Sequence, residues 1–113
     1  MSWEKDLQGF FGELQHLMAG KDQTILENLS RIESNCFSSA GDDSDRFVKC
    51  MTASMKKLNK EEKKFEFRMA FFQYQTAKCF EKSGGDPQAI EKCKTTARQN
   101  LEDYFNMFVK GLN

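Results

Sequence analysis

Four cysteines in two matched segments constrain this chain more than any other feature. Residues 36–50 read CFSSAGDDSDRFVKC and residues 79–93 read CFEKSGGDPQAIEKC. Each segment opens Cys-Phe, closes Lys-Cys, and carries a Gly and an Asp at matching places in the break between. Each is the end of one helix, a turn, and the start of the next. An antiparallel helical pair places such cysteines side by side, at a separation a disulfide can bridge. The spacing therefore predicts Cys36–Cys50 and Cys79–Cys93. The crossed alternative, Cys36–Cys93 with Cys50–Cys79, requires the chain to fold back near residues 59–65. Were the helix continuous there, Cys50 and Cys79 would stand about 40 Å apart. Four reduced, buried cysteines are the bland reading, since free Cys behaves as a small hydrophobe. Matched spacing at two turns argues against coincidence. Zinc is disfavoured, because His16 is the single histidine and no C-x₂-C pair occurs.

The apolar positions recur at helical spacing through nearly the whole chain. Trp3, Leu7, Phe10, Phe11, Leu14, Leu17 and Met18 form a first stripe, with Gly20 as the expected C′ residue. Asp22 is placed to cap a second helix bearing Ile25, Leu29, Ile32 and Cys36. A third starts near Ser44 and carries Phe47, Cys50, Met51, Met55 and Leu58. Asn59-Lys60-Glu61-Glu62 then reads either as a new cap or as a polar stretch of one long helix. Gly84-Gly85-Asp86-Pro87 supplies a stop, a cap and an N1 proline for the last helix. That helix presents Ile90, Cys93, Ala97, Leu101, Tyr104, Phe105, Phe108 and Leu112.

Nothing reads as a strand; one proline in 113 residues, with Leu, Met, Phe, Glu, Lys and Gln abundant, favours helices. The expected fold is all-α: tandem antiparallel helical hairpins, four to five helices, stapled by two disulfides. Its expected organisation is a single helical domain over 1–113, with an N-terminal helix at 1–20, a first hairpin at 21–58 and a second at 60–113. Rings of this size each stabilise a fold by about 3 kcal/mol through loss of unfolded-chain entropy.

Lys+Arg and Asp+Glu both total 17. Zero net charge, mixed along the sequence, argues against nucleic-acid or anionic-membrane binding. The densest basic stretch, Lys56 to Lys64, is diluted by Glu61 and Glu62 and reads as a solvated helix face. No apolar run approaches the roughly 20 residues of a spanning helix. The N-terminus has neither a secretory h-region nor the Arg-rich balance of a presequence.

Helical hairpins closed by cysteines, with no presequence, resemble the twin-cysteine proteins of the mitochondrial intermembrane space, which include the small Tim chaperones. The nearest likeness is to the family-with-sequence-similarity-136 proteins, helical chains with two successive hairpins of C-x₃-C motifs. Cys36 matches the second cysteine of its motif and Cys50 the first of the next. Ile32, Ser54, Gln75 and Ala97 stand where the outer cysteines would be. The likeness covers residues 30–100. It implies oxidation and retention in the intermembrane space, where disulfides form although the cytosol disfavours them. Leu29 and Ile32 before Cys36, and Phe72 before Cys79, suit the docking helix of that import route.

No catalytic constellation is present. His16 has no convincing nucleophile to serve, and Gly84-Gly85 is a helix stop rather than a phosphate loop. The carboxylates are scattered among lysines at helical spacing. No enzyme activity, cofactor or metal is expected.

One feature exceeds what a core requires. Phe65, Met69 and Phe72 make one stripe, while Phe67, Phe71 and Tyr74 point elsewhere on the same helix. The ordinary expectation is that the first helix, with Trp3, Phe10 and Phe11, packs over this second stripe. The sharper one is an exposed surface for a partner helix or hydrophobic client. The expected function is non-enzymatic: an intermembrane-space accessory or assembly component of a larger mitochondrial complex. A small-Tim-like, ATP-independent chaperone for hydrophobic precursors is one alternative. A secreted helical binding protein is another, which would require a longer precursor. Partners are expected to be proteins, not nucleic acid.

Overall fold

Two turns of matching construction set the architecture. Gly41 and Gly84, each five residues after a cysteine, take a φ of +61°, a left-handed conformation that a side chain would strain. Two residues later in each, an aspartate precedes the next helix. In the computed structural model, which describes residues 2–112, α1 spans Trp3–Ala19, α2 Asp22–Ala40, α3 Ser44–Ser83 and α4 Pro87–Leu112. The outermost expected boundaries, residues 1 and 113, lie outside the described residues. No strand occurs among those described. Asp43 caps α3, its carboxylate accepting from the backbone N–H groups of Asp45 and Arg46. Pro87 opens α4, where its missing N–H has no helical partner to lose.

The four helical segments form three rods, fewer than the four to five separate helices expected. α3 runs unbroken for 40 residues, about 60 Å, straight through Asn59-Lys60-Glu61-Glu62. No fold-back separates Cys50 from Cys79, and the two hairpins meet inside one helix. At the other junction, Gly20 and Lys21 both keep right-handed helical dihedrals. Gly20 is thus not the left-handed stop expected of it, and Asp22 is the first residue of α2 rather than its cap. With so slight an interruption, α1 and α2 follow one another along α3. Phe10 lies against Phe80, Ile25 and Leu29 join the cluster at Leu58, and Cys36 is bonded to Cys50. α4 returns along α3 from Cys93, bonded to Cys79, to Phe108, whose ring lies 5.4 Å from that of Phe65. The result is an elongated body of 64 × 21 × 17 Å.

Its core lies where three rods meet. One cluster joins Phe10 and Leu14 of α1, Phe72 and Phe80 of α3, and Ile90, Cys93, Ala97 and Leu101 of α4. A second gathers Leu58, Phe108 and Leu112, with Ile25, Leu29 and Phe65 against it. Ion pairs Arg98–Glu13 (3.4 Å) and Lys21–Glu102 (3.6 Å) tie the first rod to α4; the first is solvent-exposed, the second has a half-buried lysine and an exposed glutamate, and each is worth little alone. Leu17 and Met55, expected in the apolar stripes, are instead exposed. Leu17 lies at the edge of the α1 stripe, and Met55 at the edge of the stripe that Leu58 buries. Past Leu112 only α2 and α3 continue, as a two-helix arm closed by Cys36–Cys50 and by stacking of Phe37 on Phe47 at 4.3 Å.

Candidate functional site

Both disulfides follow from antiparallel helix ends meeting across a short turn. The Cα atoms stand 5.6 Å apart for Cys36–Cys50 and 5.8 Å for Cys79–Cys93, and no described cysteine is free. These are the local pairings that the repeat predicts. Beside each staple lies an open groove at the positions where an outer cysteine pair would stand. Ile32 and Ser54 line the first with Leu58 and Leu112, in a hollow of about 430 Å³. There the Ser54 hydroxyl donates to the Cys50 carbonyl (2.9 Å), a bond internal to α3. Gln75 and Ala97 line the second with Phe71, Thr96 and Asn100.

The two aromatic stripes of α3 separate as helical geometry requires. Phe65 and Met69 are half-buried and Phe72 is buried, all facing the other rods. Phe67, Phe71 and Tyr74 are 69%, 55% and 58% exposed. The expectation that the first helix covers this second stripe is therefore overturned. α1 sits on the Phe72 and Phe80 side of α3, in the seam it shares with α4. Phe67 and Tyr74 lie more than a third of a turn away from Phe72, out of its reach. Tyr74 instead carries Lys78, whose Nζ is 5.8 Å from the ring centre.

The charges, mixed along the sequence, are segregated in space. α3 contains ten Lys and Arg against five Asp and Glu. Its outward side presents Lys56, Lys60 and Lys63 before the aromatic stripe, and Lys78 and Lys82 after it, all exposed. Zero net charge conceals this arrangement, but the residue spacing contains it, since these positions share the face of Phe67, Phe71 and Tyr74 at 100° per residue.

No group of three His, Cys, Asp or Glu side chains among the described residues is placed to hold a metal. His16 is exposed on α1. No helix among those described is long and apolar enough to cross a membrane. The described surface feature that stands out is the exposed aromatic and lysine face of α3. Comparison with known proteins finds no matching family model, no matching curated protein and no matching solved structure.

Proposed function

We propose that this chain is a non-enzymatic protein of the mitochondrial intermembrane space, an accessory or assembly component of a larger complex that works through its helical surfaces. The observation that carries the proposal is the stripe Phe67, Phe71 and Tyr74, three large side chains held outward on a helix stapled at one end of each hairpin. A helix held straight by two neighbouring rods presents such a row without an ordering penalty, which favours a defined partner. Oxidised cysteines support the compartment, together with the resemblance of residues 30–100 to twin-cysteine proteins.

Small-Tim-like holdase action is the second reading, favoured by the open grooves beside both disulfides. The test is affinity isolation of the tagged chain, comparing the native sequence with Phe67→Ser/Phe71→Ser, alongside protease protection in fractionated organelles. A fixed-stoichiometry complex with the native chain only, and protection within the intermembrane space, is the expected result. Transient capture of many apolar precursors would move the assignment to the chaperone. Recovery outside the organelle would remove the compartment.

A further inference from the structure

We propose that the outward face of α3 docks on an anionic lipid bilayer. The inference goes beyond the preceding reading, since it gives this face a bilayer rather than a protein partner, and rests on it only in taking the aromatic stripe as a working surface.

The face is a straight ridge rather than a cleft. From Lys56 to Lys82 it extends about 40 Å along the helix axis. Its order is lysines, aromatics, lysines: Lys56, Lys60 and Lys63, then Phe67, Phe71 and Tyr74, then Lys78 and Lys82, with one exposed carboxylate, Glu81, between the last two. Lys63 has an ion pair with Glu66 at 3.4 Å. Lys56, Lys60, Lys78 and Lys82 have none among the described residues. Flexible lysines can reach headgroup phosphates while their stems lie along the apolar boundary. Between them, aromatic rings more than half exposed are suited to the interfacial layer, where such side chains concentrate.

Charge complementarity extends to the whole body. Outside α3 the chain carries seven basic and twelve acidic residues, the remainder of 17 of each once the ten and five of α3 are set apart. Glu4, Glu13, Glu27 and Glu33 on the first rod are exposed. An anionic surface attracts α3 and repels the opposite side, so the field orients the rod before contact. A protein groove gripping one helix would cover the three rings, yet would have to continue well past them to engage Lys56 and Lys82. A flat, laterally extended surface meets all of them at once.

The test uses the oxidised full chain with sedimenting vesicles of phosphatidylcholine alone, or of phosphatidylcholine with phosphatidylglycerol. Binding to the anionic vesicles only, reversed by salt, is expected. Lys60→Gln/Lys78→Gln/Lys82→Gln should weaken it by about a hundredfold. The same charge change placed elsewhere, Lys5→Gln/Lys92→Gln/Lys110→Gln, should retain most of it. Far-UV circular dichroism verifies that each variant keeps its helices. Equal partition onto both vesicles, no partition, or equal loss in the two triple variants overturns the proposal. If polyglutamate binds and anionic vesicles do not, the face takes an acidic protein. The bilayer proposal then falls while the accessory-component reading stands.

Discussion

Phe10 of α1 stacks on Phe80 of α3, ring centres 5.7 Å apart and planes at 22°, although 70 residues separate them in the chain. Both are essentially inaccessible to solvent. This pair holds the first rod on the second hairpin, and the Lys94 and Arg98 heads of α4 lie over the same Phe10 ring at 6.0 and 5.3 Å. Phe10→Ala should cost about 3–5 kcal/mol. Because α1 has no covalent staple, amide exchange in Trp3–Ala19 should accelerate before the rest of the fold opens. Urea unfolding combined with exchange mass spectrometry checks both.

The two disulfides are alike in sequence separation but not in setting. Cys79–Cys93 adjoins the three-rod core, with Cys93 and Phe80 in the same cluster. Cys36–Cys50 closes the arm where α4 has already ended. Opening either 15-residue ring forfeits about 3 kcal/mol in the chain-entropy account. Cys79→Ala/Cys93→Ala should therefore lower the global melting temperature. Cys36→Ala/Cys50→Ala should act locally, with fast exchange and tryptic cleavage confined to residues 36–50. Equal global effects without local opening would show that the arm unfolds together with the core.

The matched cysteine segments made both turns legible in the sequence, because Gly41 and Gly84, and Asp43 and Asp86, occupy the same steps after a cysteine. The stripe of α4 was equally plain: Ile90, Cys93, Ala97, Leu101, Phe105, Phe108 and Leu112 are all buried. Periodicity identifies a face but not its neighbour, which is why α1 was expected over Phe67 and Phe71 and lies instead over Phe72 and Phe80. Leu17 failed for the same reason, an apolar side chain at the margin of a stripe with no rod beyond it. The continuity of α3 was undecidable locally, since Asn59-Lys60-Glu61-Glu62 can cap a helix or sit within one. In the fold it sits within one helix, with Glu61 beside Gly111 of α4, a neighbour that no local pattern contains.

Asp43 is the best-defined helix cap, its Oδ1 accepting from Asp45 N–H at 3.0 Å and Arg46 N–H at 3.4 Å. Asp43→Ala should cost about 1 kcal/mol, whereas Asp43→Asn, which keeps an acceptor, should retain most of that stability. The ion pair of Asp43 with Arg46 is exposed and should add little. Equilibrium urea curves for Asp43→Ala, Asp43→Asn and Arg46→Ala separate the cap from the charge: the first alone should shift appreciably.

The exposed stripe makes an opposite prediction about stability. Phe67→Ser/Phe71→Ser removes two rings that are more than half exposed and belong to neither core cluster. Surface changes of this kind usually stay within about 0.5 kcal/mol each. The melting temperature should hardly move, which lets the double variant report on binding alone. A loss as large as that of Phe10→Ala would mean that these rings are structural.

Gly111 lets the end of α4 approach α3. A β-carbon there would lie 2.9 Å from Glu61 Cγ and nearer still to its carboxyl group. The clash falls on the flexible end of Glu61, but that side chain is only 12% exposed and has little open space to move into. Gly111→Ala should thus lift the last turn of α4 and loosen Leu112 and Phe108 over Leu58, at about 1–3 kcal/mol. Helix propensity alone predicts the reverse, a gain of up to about 1 kcal/mol. Gly12 on α1, with nothing within 4 Å of its would-be β-carbon, should show that gain. Removing the obstacle in Glu61→Ala/Gly111→Ala should recover much of the loss, a coupling that a double-mutant cycle measures directly. If Gly111→Ala stabilises the chain as Gly12→Ala does, the close approach of α4 to Glu61 is not what holds this end of the bundle.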